Sequence, residues 1–174
     1  GVPRPDLQSK SKERWLDPSV LETRTFVKTP CGKLSCGYRV SRDEPGWVTE
    51  RYIKDFARDL PAYEYLTLQT DPAQADCDGL IKAWQAVGET FLLEAWLGTT
   101  FFDYFGEARE GGLAQTIYDL SERESKLRAL QERYDDWMVR LARSICEKTS
   151  VESLFIGCSW SCNSLIGPRL WRRW

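Results

Sequence analysis

Apolar side chains recur at seven-residue steps in the second half of the chain, and this repeat limits the possible folds more than any other feature. The positions are Leu113, Leu120, Leu127, Tyr134 and Leu141. Residues that return at this period form one apolar stripe along a helix, with polar residues on the opposite side. The sequence therefore predicts a long amphipathic helix over about 113–148, and its stripe must be buried against other elements.

Two further helices are predicted earlier in the chain. The first covers about residues 46–60 and is expected to end at Pro61, since proline disrupts a helix interior. The second covers about 72–97. Asp71 is a suitable capping residue and Pro72 suits the first helical turn. This second segment is apolar on nearly every side, which is typical of a central helix with neighbours all round it.

Residues 22–41 differ in character from the helical segments. β-Branched and aromatic residues flank a Pro-Cys-Gly turn, so the segment predicts a β-hairpin with strands near 23–29 and 35–41. An isolated hairpin is only marginally stable in water. We therefore expect it to pack on another element or to be closed by a Cys31–Cys36 bridge.

Together these elements predict a mainly α fold class, namely a bundle-like single domain of four to five helices with a small N-terminal β-hairpin. The domain spans residues 21–174 and includes a short apolar C-terminal segment at 150–166. Residues 1–20 are polar and contain three prolines, which predicts an irregular N-terminal segment. No apolar run reaches the roughly 18–20 residues of a membrane-spanning helix, so no transmembrane segment is predicted.

The six cysteines form an even set without any Cys-x-x-Cys motif, which favours disulfides and an oxidising compartment. Two alternatives remain: reduced, buried cysteines, and a four-thiolate zinc site made by the first two and last two cysteines. The zinc site is less favoured because its spacings of four and three residues exceed the usual two, and we predict no metal. The disulfide candidates are Cys31, Cys36, Cys77, Cys146, Cys158 and Cys162.

The chain contains no histidine, which excludes Ser-His-Asp and Cys-His nucleophile systems, histidine-liganded zinc and a histidine pH switch. Glycine-rich phosphate loops are absent from the sequence as well. We therefore predict no catalytic residues and no cofactor.

The last part of the chain interleaves tryptophan with arginine, two residue types that dominate binding hot spots. This pattern predicts a binding surface for a protein partner. The net charge of −2 gives no general attraction for polyanions, so no nucleic-acid partner is predicted. The candidate binding residues are Trp160, Arg169, Trp171, Arg172, Arg173 and Trp174.

These features predict a secreted, non-enzymatic interaction protein, effector- or toxin-like, that binds a protein partner. Secretion is inferred from the cysteines and from the first residue, Gly1, because a removed signal peptide would explain a start without methionine. A cytoplasmic location is the alternative.

The alternative function is a small all-helical enzyme or a carrier that binds an anionic or apolar metabolite between helices. For an enzyme, the candidate residues on the long helix are Glu124, Arg128, Tyr134 and Asp135. For a carrier, an apolar cavity would be lined by Trp84, Phe91, Trp96, Phe101 and Phe102. Aromatic residues at helical spacing are more often core residues than cavity walls.

Overall fold

The computed structural model describes residues 6–162 and 164–174. Helices account for 47% and strands for 28% of the described residues, so the predicted mainly α bundle is wrong and the fold is mixed α and β. The chain forms two compact units. We name residues 6–69 with 106–116 the sheet unit, and residues 70–105 with 117–174 the α/β unit. That residues 21–174 form one domain stays a prediction.

The sheet unit contains a four-stranded antiparallel sheet whose strands lie in chain order. The strands are β1 (Gln8–Asp17), β2 (Val20–Thr29), β3 (Gly32–Ser41) and β4 (Trp47–Glu50). The expectation of an irregular segment at 1–20 is therefore wrong for residues 8–17. Every residue of β1 is exposed, so the strand lacks the alternation of apolar and polar residues that reveals a strand in a sequence. Its pairing with β2 holds it in the sheet.

The predicted hairpin is confirmed in β2 and β3, and both strands are longer than expected. The turn ends at Gly32, which pairs with Thr29 and has a φ of 147° that few other residues adopt. Val27 and Leu34 lie directly opposite each other and are buried. The hairpin is stabilised by its neighbours β1 and β4 and by a packed helix, so it needs no covalent closure.

Each of the six cysteines is a free thiol, so the predicted disulfides are wrong. For the hairpin pair the reason is geometric. Cys31 lies in the turn and Cys36 lies within β3. A strand rises about 3.3 Å per residue, so two Cα atoms five positions apart along it are separated by roughly 16 Å. A disulfide needs its two Cα atoms within about 7 Å. Cys77 is buried, while Cys146 is exposed on its helix.

The first helix, α1 (Phe56–Leu68), starts ten residues later than predicted, because residues 47–50 form β4 instead. The Asp55 carboxylate caps it by accepting a hydrogen bond from the Arg58 amide at 2.9 Å. Pro61 lies inside α1 and does not end it. The backbone hydrogen bond that proline removes is offset by the buried face of the helix, which includes Leu60 and Tyr63.

The predicted helix over 72–97 is wrong. Asp71 does act as a cap, but only of a single 3₁₀ turn, Pro72–Gln74. Helix α2 (Asp78–Val87) follows and ends at Gly88, whose φ is 54°. The apolar stretch then becomes strand β5 (Glu94–Thr99), in which Ala95 and Leu97 are buried and Glu94 and Trp96 are exposed. This alternation is only four residues long, so it is hidden inside the longer apolar run.

The remaining elements are α3 (Phe101–Ala108), α4 (Gly112–Glu122), α5 (Glu124–Lys148), β6 (Ser153–Gly157) and α6 (Pro168–Arg173). The predicted helix over 113–148 is confirmed, with a break at Arg123 that divides it into α4 and α5. Leu120, Leu127 and Tyr134 of the seven-residue repeat are buried as expected. The predicted apolar segment at 150–166 contains β6, which pairs in parallel with β5. No helix among the described residues has the length and apolar character needed to cross a membrane.

The charged cluster around Glu22 allows a test of what stabilises the sheet. Its buried carboxylate accepts hydrogen bonds from Arg39 at 2.8 Å and Arg14 at 3.1 Å, and the Arg39 bond holds the pKa of Glu22 below its usual range. Such a group stabilises the fold above its ordinary pKa, and this stability is lost as the pH falls through the lowered value. We expect Glu22→Gln to lower the urea midpoint at pH 7, with a smaller difference from the parent protein in acid.

The control is Glu13→Gln, which changes an exposed glutamate on the same sheet. Its urea midpoint should match that of the parent protein at both pH values. Equal midpoints for the Glu22 variant and the parent at pH 7 would contradict the role of this cluster.

Candidate functional site

The carboxyl ends of β5 and β6 lie side by side in the α/β unit. The strands are parallel, with Thr99 opposite Gly157, and the Thr100 amide donates to the Gly157 carbonyl at 3.0 Å. In open α/β sheets the crevice beyond the carboxyl ends of the strands is the usual place for a ligand. The segments that follow both strands therefore define the candidate site.

Gly98 creates a bulge just before the end of β5. The pairing register shifts between Trp96 and Gly98, and Gly98 has a φ of 145°. A Cβ atom at this position would lie 3.2 Å from the Met138 Cε, so both the backbone conformation and the space favour glycine. Beyond the bulge, the Thr99 carbonyl accepts a hydrogen bond of 2.6 Å from the Tyr134 hydroxyl on α5. The bulge thus helps to position the strand end against this helix.

The Asp103 carboxylate connects the two strand ends. It is fully buried in the first turn of α3. Its Oδ1 accepts a hydrogen bond from the Trp160 amide at 2.6 Å, and its Oδ2 accepts from the Ser161 hydroxyl at 2.6 Å and the Thr100 hydroxyl at 2.7 Å. A buried carboxylate is costly unless hydrogen bonds satisfy it, and here three donors do so. The loop after β6 is therefore held against the start of α3.

A cavity of about 540 Å³ opens beside these strand ends. Its walls are mainly apolar, and five aromatic rings contribute to them. The lining residues are Thr99, Thr100, Phe101, Phe102, Gln131, Tyr134, Asp135, Met138, Val139, Ile156, Ser161, Ile166, Trp171 and Trp174. All of them lie within the α/β unit.

Asp135 is the only charged residue among the described residues that line the cavity. Desolvation by the surrounding protein raises the pKa of its carboxyl group. Asp135 forms no hydrogen bond or ion pair with any described residue, whereas its neighbour Asp136 lies 3.9 Å from the Arg140 guanidinium. The Asp135 carboxylate is thus available to a ligand.

The C-terminal residues close one side of the cavity. The Trp174 ring stacks on Phe101 with centroids 6.2 Å apart, and the Arg128 guanidinium lies 3.9 Å from the centre of the Trp174 ring. Gln131 donates a hydrogen bond of 3.0 Å to the Trp174 carbonyl. Arg173 forms an ion pair with Glu124. These contacts attach the segment that carries Trp171 and Trp174 to α5.

The binding residues predicted from the sequence have different surroundings in the structure. Trp171 and Trp174 line the cavity, and the Trp160 amide binds Asp103. Arg169 and Arg172 are exposed, and Arg172 borders a second cavity of about 500 Å³ beside Cys162. The binding roles of these residues stay predictions.

Of the residues predicted for the alternative functions, an enzyme or a carrier, only some line the cavity. Tyr134 and Asp135 line the cavity. Of the proposed carrier residues, Phe101 and Phe102 line it as well. The other three are not among the described lining residues, and the Trp96 side chain is 59% exposed.

Thr100, Asp103 and Ser161 were not predicted as site residues. One signal was present: Thr100-Phe-Phe-Asp103 has the spacing of a capping box, which marks the start of a helix. The Thr100 hydroxyl does accept a hydrogen bond of 3.4 Å from the Asp103 amide. Ser161 had no such signal, because its partner lies 58 positions earlier in the chain.

Within the described residues, no group of three or more acidic or cysteine side chains is arranged to hold a metal ion. Comparisons of the chain with protein-family models, curated protein sequences and solved structures found no match.

Asp103 provides a direct test of how the site is assembled. In Asp103→Asn an NH₂ group replaces one acceptor oxygen, which leaves a donor facing the amide or the hydroxyls that Asp103 binds. We expect the free energy of unfolding to fall by about 1–3 kcal/mol, as measured by urea denaturation. Asp136→Asn on exposed helix surface is the control and should change stability by less than about 0.5 kcal/mol. Similar losses in both variants would contradict the anchoring role of Asp103.

Proposed function

We propose that the protein reversibly binds a small molecule with a flat aromatic or apolar body and a cationic amine. The observation that carries this proposal is an aromatic-walled cavity with one free carboxylate at Asp135. The volume of about 540 Å³ falls within the range of roughly 300–1,000 Å³ typical of small-molecule sites.

The walls of the cavity favour a flat apolar body. Phe101, Tyr134 and Trp174 provide aromatic surface, and Met138 and Val139 add flexible and branched aliphatic surface. Aromatic ligands stack on such rings or contact their edges, and burial of apolar surface supplies most of the affinity. A strongly polar metabolite would find few hydrogen-bonding partners here.

The charge of the cavity favours a cation over an anion. Asp135 attracts an amine electrostatically, and the aromatic side chains that line the cavity, such as that of Trp171, also attract cations. No arginine or lysine is among the described lining residues. An anionic ligand would therefore be repelled by Asp135 without compensation from a positive side chain.

Three indole compounds that differ in charge test the proposal. Tryptamine is cationic, indole is neutral and indole-3-propionate is anionic at neutral pH. We expect tryptamine to bind tightest and indole-3-propionate weakest, as measured by calorimetry. Absence of binding by all three, or tightest binding by the anion, would contradict the proposal.

A matched pair of variants tests Asp135 itself. Asp135→Asn should weaken tryptamine binding about 5- to 30-fold, equivalent to about 1–2 kcal/mol, and should leave indole binding unchanged. Asp136→Asn removes the same charge from the next residue and should affect neither ligand. Equal tryptamine affinities in the two variants would contradict the role assigned to Asp135.

Tryptamine binding should also depend on pH. Binding needs the ionised carboxylate, so affinity should fall as the pH decreases through the raised pKa of Asp135. This fall should occur above the ordinary aspartate value of about 3.9. Since ionisation of Asp135 is disfavoured in the folded state, Asp135→Asn should be at least as stable as the parent at pH 7.

A second proposal is that the protein binds a protein partner through Arg169, Trp171 and Arg172. The supporting observation is that all three are exposed on α6, although Trp171 also contacts the cavity. Arg169→Ala with Arg172→Ala should leave tryptamine binding unchanged, which separates the two proposals. The secreted location also stays a prediction, and the free thiols remove the disulfide argument for it.

A further inference from the structure

One face of the sheet in the sheet unit is rich in cations. Alternate residues of a strand point to the same face, and the strand register shows which side chains share it. Lys10 lies opposite Phe26, Lys12 opposite Arg24, and Lys28 opposite Lys33. We name this surface the cationic face. Its positively charged residues are Lys10, Lys12, Arg14, Arg24, Lys28, Lys33 and Arg39.

The cationic face has few carboxylates to balance these charges. Glu22 is surrounded by the three arginines of the face, and Glu50 pairs with Arg24 at 3.9 Å and with Lys54 at 2.7 Å. The four lysines of the face have no carboxylate of a described residue within ion-pair distance. The face is therefore strongly positive although the whole chain has a net charge of −2.

Two pairs of like charges lie directly opposite each other on neighbouring strands. They are Lys28 with Lys33 and Lys12 with Arg24. Like charges in directly opposite positions destabilise a sheet. Such a loss of stability is typical of a surface whose charges serve binding, because function is often maintained at the expense of stability.

An aromatic ring lies among these cations. The Phe26 side chain is 42% exposed, and the Lys12 Nζ lies 5.9 Å from the centre of its ring. A cavity of about 270 Å³ opens beside Phe26, with Lys10, Lys28 and Lys33 among its lining residues. The arrangement offers a flat apolar surface beside three lysine side chains.

We propose that the cationic face binds single-stranded nucleic acid, with backbone phosphates at the lysines and a base stacked on Phe26. Proteins that bind single strands combine a positive surface with aromatic side chains on which bases stack. The exposed ring favours this ligand over a sulfated polysaccharide or an anionic membrane surface, neither of which has a base to stack. The net charge of −2 argues against a nucleic-acid partner, but a net charge does not report how charges are distributed.

The inference is independent of the proposed function, because it concerns the other unit and a different ligand. Fluorescence anisotropy with a labelled oligo(dT) of about 20 nucleotides, long enough to exceed a typical single-strand site, measures binding to the whole chain. An abasic phosphodiester of equal length serves as the competitor without bases. We expect oligo(dT) to bind at least about fivefold tighter than the abasic strand, and affinity to fall with salt.

Two substitutions separate stacking from charge. Phe26→Leu should weaken oligo(dT) binding about 5- to 150-fold and leave abasic binding unchanged. Lys28→Gln should weaken the binding of both oligo(dT) and the abasic strand. It should reduce the steepness of log affinity against log salt by about 0.7 for each phosphate that the variant no longer neutralises. It should also raise the urea midpoint, because it relieves the repulsion from Lys33. A purely structural lysine would not combine weaker binding with higher stability.

The control is Lys82→Gln, which removes an exposed lysine from α2 in the α/β unit. Its affinity and salt dependence should match those of the parent protein. The proposal would be overturned by no oligo(dT) binding at low salt, by equal affinity for the abasic strand, or by an unchanged oligo(dT) affinity in Phe26→Leu. Heparin or phosphatidylserine vesicles that bind tighter than oligo(dT) would assign the face to another polyanion and also overturn it.

Discussion

The buried carboxylate of Asp103 is the interaction on which the candidate site depends. It holds two segments that are far apart in the chain, the start of α3 and the loop after β6, through hydrogen bonds of 2.6–2.7 Å. A charge in the protein interior is tolerated only when donors satisfy it, so Thr100, Ser161 and the Trp160 amide must be in place together. These segments contribute Thr100, Phe101, Phe102 and Ser161 to the walls of the cavity.

The two units present surfaces of opposite character. The α/β unit has an aromatic cavity whose only charged described lining residue is Asp135. The sheet unit has a face on which lysine and arginine surround Phe26. The net charge of −2 sums the charges of the whole chain and does not describe either surface. The distribution of charge, rather than its total, therefore supports the two proposals, one for a small cation and one for a polyanion.

The parts of the fold that were predicted correctly have strong local patterns. The repeat containing Leu120, Leu127 and Tyr134 continues long enough to define α4 and α5, and the hairpin has both β-branched strands and turn residues. The missed strands lack such patterns. β1 is exposed throughout, and β5 has an alternation of only four residues within a longer apolar run. In both cases pairing with another strand decides the conformation, because strand propensity depends strongly on context.

The sequence by itself determined the long amphipathic helix, the hairpin and the concentration of tryptophan near its C-terminal end, because each depends on residues close together in the chain. Only the tertiary structure decided that β5 pairs with β6, that Asp103 binds Ser161 and that Cys77 forms no disulfide with Cys146. These outcomes depend on distances between residues far apart in the sequence. Local periodicity carries no information about such distances, so it could not identify the residues that form the cavity.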